Sequence, residues 1–413
     1  MVRGVARLVL SLIVVLSTGS VLPATAQDDC EFAGEVLIGV LAPLTGSLYK
    51  VGQSTQSAAE MAVDEINADC GLQIGGQNYE VIALIENNES EPEASVEAAT
   101  RLIMEQGVIA IIGPQASVQA VPTGEVVNEL ETPMISPWST NPNTTLDRPW
   151  VFRTALLDPW QGQIIANFAI EHYQAETAAV LYSSDSDYPR GLAENFRDAF
   201  EAAGGEIVAF EAFLTGDMDF RVQLSAIIAS DPDVLFVPQY YNEVPLIVLQ
   251  ARDMGFTGPI IGSDSWATPE LTELCGPPCD GLFFSSHYAP EIVDQTFIQA
   301  YETRFAVTPD DVAALTYDAF RLLFTAIEEA GSLDRAAIRD ALASIEVFEG
   351  VTGVMYFNEQ GDPTKCAVVN QFVEGQIVYF ESVCPPGFPP DTESGTEQES
   401  MEPVPTATET GDS

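Results

Sequence analysis

Short apolar runs alternate with stretches whose apolar residues recur every three or four positions, and the alternation continues from residue 35 to residue 262. Glu35–Leu41, Tyr79–Ile85, Val108–Ile112 and Pro133–Ser136 have the length and β-branched content of strands. Between them, Ser54–Asn67 gathers Ala58, Ala59, Ala62, Val63 and Ile66 on one helical face, and Glu93–Met104 and Ser117–Leu130 read as further helices. A second series follows. Its helices are Trp160–Tyr173, Arg190–Ala203, Phe220–Ala229 and Val244–Met254, and its strands are Ala178–Tyr182, Glu206–Phe213, Val234–Val237 and Pro259–Gly262. Strand–helix alternation predicts parallel sheets covered on both faces, and each series has about the length of one domain. The expected class is α/β, with two doubly wound, Rossmann-like lobes. Asp294–Ile345 reads as mostly helical and can complete the first lobe, and Lys365–Phe372 with Gln376–Ser382 forms a closing hairpin turned at Glu374-Gly375.

The ends of the chain change this picture. Arg3 and Arg7, the apolar run Leu8–Leu16 and then Ala24-Thr25-Ala26 have the layout of a secretory signal, so residues 1–26 are expected to be removed near Ala26 and the protein exported. Cys30 follows Gln27-Asp28-Asp29, which does not suit lipidation. Later apolar runs are too short and too interrupted to span a bilayer. From Pro385 to Ser413 the chain is rich in Pro, Ser, Thr and acidic residues, and a disordered acidic tail is expected.

An exported chain with six cysteines is expected to hold disulfides. Of the 15 pairings possible for six cysteines, the coarse topology favours Cys30–Cys70, Cys275–Cys279 and Cys366–Cys384. A zinc site is the weaker reading, because the only histidines are His172 and His287 and no paired C-x-x-C spacing occurs. Neither a metal nor any other cofactor is expected. The formal net charge is −47, with Lys50 and Lys365 the only lysines, which argues against nucleic-acid binding. Such acidity fits a saline setting, where self-repulsion is screened. The chain has no G-x-S-x-G elbow, P-loop or dinucleotide-binding glycine pattern, so an enzyme is not expected. Carboxylates alone would leave only glycoside chemistry open.

Candidate chemistry lies just beyond the strand ends, where open α/β sheets bind ligands. In the first series these places are 42–52, which contains Tyr49, then Gly113–Ser117 and Ser136–Pro142. Ser117 at a helix start offers a hydroxyl beside free backbone N–H groups, a setting that attracts a carboxylate; the plainer reading is an N-cap. Ser139 and Thr140 add donors next to Trp138, although the same residues also make ordinary turns. The second series contributes Asp185–Tyr188, Gln239–Tyr241 and Ser263–Trp266. A carboxylate such as Asp264 among aromatic rings suits an ammonium group; its plainer reading is a solvated loop acid.

The order and spacing of these segments resemble the periplasmic binding proteins of branched-chain amino acid and amide ABC transporters, which have the type I binding-protein fold. The resemblance runs from about Glu35 to Cys384 and is clearest in "IGVLAPLTGSLYKVGQSTQSAAEMAVDEINADCG", "IAIIGPQAS", "PMISPWSTN", "VFRT", "SDYPRGLAENF" and "FTGPIIGSDSW". It implies one lobe from residues 35–153 and 287–358 and another from 154–284 and 361–384. The hinge between them would be crossed near Arg153-Thr154, Phe284-Ser285 and Gln360. It also implies roles: Ser117, Trp138, Ser139 and Thr140 for a ligand carboxylate, Tyr188 and Tyr240 as aromatic walls, and Asp264 for an ammonium. Amino-acid binders of the family often have Glu at the position of Asp264 and a small residue at that of Trp138. Val51 stands where some have an aromatic, with Tyr49 nearby. The implied function is an extracytoplasmic, monomeric substrate-binding protein that passes an amino acid or related solute to ABC permease subunits. The alternative is a receptor-type domain for an amide, urea or small organic acid on the same fold.

Overall fold

The computed structural model describes residues 30–389, so the expected signal segment and the tail beyond residue 389 lie outside the described residues. The first sheet contains β1 (Phe32–Ala42), β2 (Leu72–Ile74), β3 (Gln77–Asn87), β4 (Ala110–Ile112), β5 (Met134–Ser136) and β6 (Val151–Arg153), in the order β2-β3-β1-β4-β5-β6. All its pairings are parallel except that of β2 with β3. Alternate residues of β1 enter two separate cores. Val36, Ile38 and Val40 face Ala59, Phe320, Leu323 and Ile327, from helices Tyr49–Ala68 and Asp311–Ala330. Leu37 and Leu41 face Ala98, Leu102 and Val127, from helices Pro92–Met104 and Ser117–Glu129. A strand covered on both faces reads as a continuous apolar run, which is why β1 was plain in the sequence.

The second sheet begins with β7 (Thr177–Ser183), β8 (Glu206–Phe213), β9 (Val234–Phe236), β10 (Ile260–Gly262) and β11 (Phe283–Ser286). The chain then returns to the first lobe through helices Gln295–Phe305, Asp311–Ala330 and Arg335–Ser344 and a small sheet of β12 (Val347–Gly350), β13 (Gly353–Phe357) and β14 (Pro363–Thr364). The hairpin β15 (Ala367–Val373) and β16 (Gln376–Val383) completes the second sheet, whose order is β16-β15-β11-β10-β9-β7-β8. Its core also takes in Leu48, Val51, Ala116, Trp138 and Val312 from the first lobe, so apolar packing continues across the cleft.

Three crossings join the lobes: Thr154–Leu157, His287–Asp294 and Lys365-Cys366. The second and third fall a few residues later than the sequence predicts, because β11 and β14 first complete their pairings. Buried cations brace this hinge. Arg153 is fully buried and pairs through Nε with Asp362 Oδ1 at 2.6 Å. It also donates to Ser139 O at 2.8 Å, Asn141 O at 2.9 Å and Thr145 Oγ1 at 2.7 Å. Lys365 is buried and donates to Thr352 Oγ1, while Asp318 receives the backbone N–H groups of Val351 and Thr352.

Cys275–Cys279 and Cys366–Cys384 are disulfides, Cys30 and Cys70 are also in disulfide form, and no described cysteine is free. Among the described residues no helix is long and apolar enough to cross a membrane.

Candidate functional site

Strand order reverses between β1 and β4 in the first sheet and between β7 and β9 in the second, and these switch points place crevices at the strand C-terminal ends. The segments after β4, β5, β7, β9 and β10 meet there. A narrow cavity there is lined by Ala116, Ser117, Trp138, Tyr188, Tyr240 and Asp264.

One end of the cavity is built of donors. Ser117 is the first residue of helix Ser117–Glu129 and is buried; Ala116 holds the cap position, so Ser117 is not the N-cap. Its Oγ accepts from Ser139 Oγ at 2.9 Å and from Asn141 N at 3.4 Å. A hydroxyl with both acceptor positions engaged still has its own proton to give. Buried Trp138 Nε1, Thr140 Oγ1 and Tyr240 OH have no partner within the protein. Four hydrogen-bonding groups beside a helix N-terminus suit a carboxylate. Arg153 fixes this end from behind by binding the carbonyls of Ser139 and Asn141.

The other end is a carboxylate. Asp264 is 1% exposed, so the reading of a solvated loop acid does not hold. It opens a one-turn 3-10 helix, Asp264–Trp266. A Cβ at Gly262 would run into the Trp266 indole, so the glycine is required for this turn to fold back on β10. Gln239 O receives Ser265 Oγ at 2.8 Å and Trp266 Nε1 at 3.1 Å, which ties the turn to the loop after β9. Asp264 Oδ1 accepts from Tyr188 OH at 2.5 Å, and Oδ2 lies 3.2 Å from His287 Nε2. His287 Nδ1 accepts from Leu156 N–H at 3.1 Å, so the ring proton is on Nε2 and points to Asp264. Tyr188 and Tyr240, with centroids 5.1 Å apart, and Trp138, 6.0 Å from Tyr240, form the aromatic wall. Burial, then the charge of Asp264, holds both tyrosine hydroxyls well above their ordinary value, so they act as neutral donors.

The structure therefore brings together Ser117, Trp138, Ser139, Thr140, Tyr188, Tyr240 and Asp264. It does not bring Tyr49 into the cavity. The helix predicted to begin at Ser54 begins at Tyr49, which places that ring on the rim, 39% exposed, with its hydroxyl 3.2 Å from Glu270 Oε1 of the other lobe. His172 stacks on Phe168 in an aromatic cluster away from the cleft.

Three residues not picked out in the sequence stand at or beside this site: Asp158, His287 and Asp311. Asp158 is fully buried, both its oxygens are unpartnered, and its N–H donates to Thr140 O at 2.9 Å. Burial pushes its carboxyl up to about 8; the charge of Asp264 adds to the rise, while the charge of Arg153 opposes it. Asp158 opens the helix that follows the first crossing, His287 directly follows β11, and Asp311 opens helix Asp311–Ala330.

A family model described as periplasmic binding protein matches residues 35–376. The leucine-binding protein LivK of Thermotoga maritima is 34% identical and superposes with a TM-score of 0.81, over 85% of this chain and 99% of that one. The branched-chain amino acid substrate-binding protein LivJ of Streptococcus pneumoniae, solved with isoleucine, is 32% identical with a TM-score of 0.79, over 85% of this chain and 100% of that one. The leucine-, isoleucine-, valine-, threonine- and alanine-binding protein of Pseudomonas aeruginosa is 26% identical over 334 residues, 80% of this chain and 87% of that protein.

Proposed function

Because the chain belongs to the periplasmic binding protein family, and is an extracytoplasmic substrate-binding protein of an ABC transporter, we propose that it captures a small α-amino acid between its lobes and delivers it to permease subunits. The observation that carries this reading is one cavity with donors at one end and a buried carboxylate at the other. The ligand carboxylate rests on Ser117, Thr140 and Trp138 Nε1 at the helix N-terminus. The ammonium rests on Asp264 against the Tyr188 and Tyr240 rings, with Asp158 as a second acceptor. The isoleucine bound by the Streptococcus pneumoniae protein supports the class of ligand. Trp138 lines this narrow crevice and limits the side chain that fits beside it. Both lobes contribute contacts, so binding favours the closed arrangement by its greater affinity for it. Cleavage near Ala26 would release the protein outside the cytoplasm as a monomer.

The test is a thermal-shift screen of the mature protein with amino acids, short amides, urea and aromatic acids, since a specific ligand raises the unfolding temperature by mass action. Amino acids are expected to stabilise and their des-amino analogues are not. Stabilisation by ligands without an amine alone would overturn the role of Asp264. Asp264→Ala is expected to cost at least about 2 kcal/mol, roughly thirtyfold in Kd by calorimetry, the usual penalty for losing one partner of a buried charge pair.

A further inference from the structure

Beyond Asp264 lies a carboxylate that a simple amino acid leaves unused. Asp311, 2% exposed at the start of helix Asp311–Ala330, has no hydrogen-bond partner at either oxygen. One of its oxygens, one of Asp264 and a ring nitrogen of His287 lie within 4.8 Å of one another. His287 does not act as a metal ligand there, because the nitrogen facing Asp264 carries the ring proton while Nδ1 is taken by Leu156 N–H. Lys365 is turned to Thr352.

Asp311 also lines a second, open cavity of about 380 Å3 between the lobes, with Tyr288, Thr308, Asp310, Asn370 and Ile377. Tyr288 OH and Asn370 Oδ1 are unpartnered too, on side chains 4% and 2% exposed. No Lys, Arg or His lines this cavity. Burial raises the Asp311 carboxyl and the charges of His287 and Lys365 only partly oppose the rise, so as a carboxylate it is costly unless it meets a further positive charge. The zwitterion proposed above brings no net charge, so it neutralises neither Asp311 nor its surroundings.

We propose that the ligand is an α-amino acid with a second cationic group on its side chain, of the diaminobutyrate, ornithine or lysine type, and that Asp311 receives that distal group together with Tyr288 OH and Asn370 Oδ1. This rests on the amino-acid reading above and names the ligand class within it. Asp311 and Thr308 belong to the first lobe and Asn370 to the second, so the distal group would bridge the lobes as the α-amino acid moiety does. The closeness of Asp311 to Asp264 favours a short side chain among these.

Calorimetric titration of the mature protein with diaminobutyrate, ornithine, lysine, leucine, isoleucine, valine and putrescine tests it. The diamino acids are expected to bind at least roughly thirtyfold more tightly than leucine, the usual scale for a desolvated charge pair. Putrescine, which lacks a carboxylate, is expected to bind weakly. In Asp311→Asn the ratio of diamino-acid to leucine affinity should fall at least roughly tenfold, and Tyr288→Phe should lower it less. Leucine binding as tightly as every diamino acid, or a ratio unchanged in Asp311→Asn, overturns the proposal and leaves the amino-acid reading standing. Binding of no amino acid at all overturns both.

Discussion

Ser117 shows how much a single hydroxyl can be asked to do. It takes hydrogen bonds from Ser139 and Asn141 and offers its proton to the cleft. Ser117→Ala is expected to weaken amino-acid binding by roughly tenfold to a hundredfold, the usual worth of a hydrogen bond to a charged group, with little change in unfolding temperature; calorimetry beside a thermal melt separates the two. Ser117 and Asp264 were legible in the sequence because each follows a strand end, where chemistry and pattern coincide. Asp158, His287 and Asp311 were not, because their roles depend on how the crossings bring the lobes together. Tyr49 was misplaced for a local reason: its helix starts earlier than the apolar face suggests, with Leu48 at the cap position and no side-chain cap to mark it.

The hinge is where elements, more than residues, decide the outcome. The Arg153 guanidinium joins the end of β6, the loop after β5 and Asp362 beside β14. Arg153→Met is expected to lower stability by about 3 kcal/mol or more, since it leaves Asp362 buried without its ion partner and frees the carbonyls of Ser139 and Asn141. Chemical denaturation measures the loss, and a change below about 1 kcal/mol would remove this role. Gly262→Ala should also destabilise, by pushing the Trp266 turn off β10. The long helices and most strands were legible from periodicity. β2, β6, β11 and the small sheet were not, because runs of two to five residues carry too few positions to establish a period.

At the scale of the molecule, charge governs the response to solvent. Burial raises the carboxyls of Asp158 to about 8 and of Asp311 and Glu243 to about 7. A carboxyl raised in the folded state favours folding while it is protonated, so that contribution is complete in acid and disappears as pH rises through about 7 to 8. The unfolding temperature of the ligand-free protein is therefore expected to fall between pH 5 and pH 8, and less steeply in Asp158→Asn. A formal charge of −47 adds self-repulsion across the same range. Raising salt from about 0.01 M to 1 M shortens the screening length from about 30 Å to about 3 Å, so melts should shift upward with salt; flat melts would mean that the acidity carries no such cost.

The burial of Lys365 in the hinge has a practical corollary. The sequence contains one other lysine, Lys50, which lines the groove between the lobes at the cleft mouth. Amine-directed labelling of the folded protein, run at a pH high enough to reach lysine and with the α-amino terminus blocked beforehand, would thus mark one side chain, at the cleft mouth. A polarity-sensitive dye placed there becomes an optical gauge of opening and closing, with no engineered cysteine to disturb the disulfides. Delayed modification of Lys365 would time the breathing of the hinge itself.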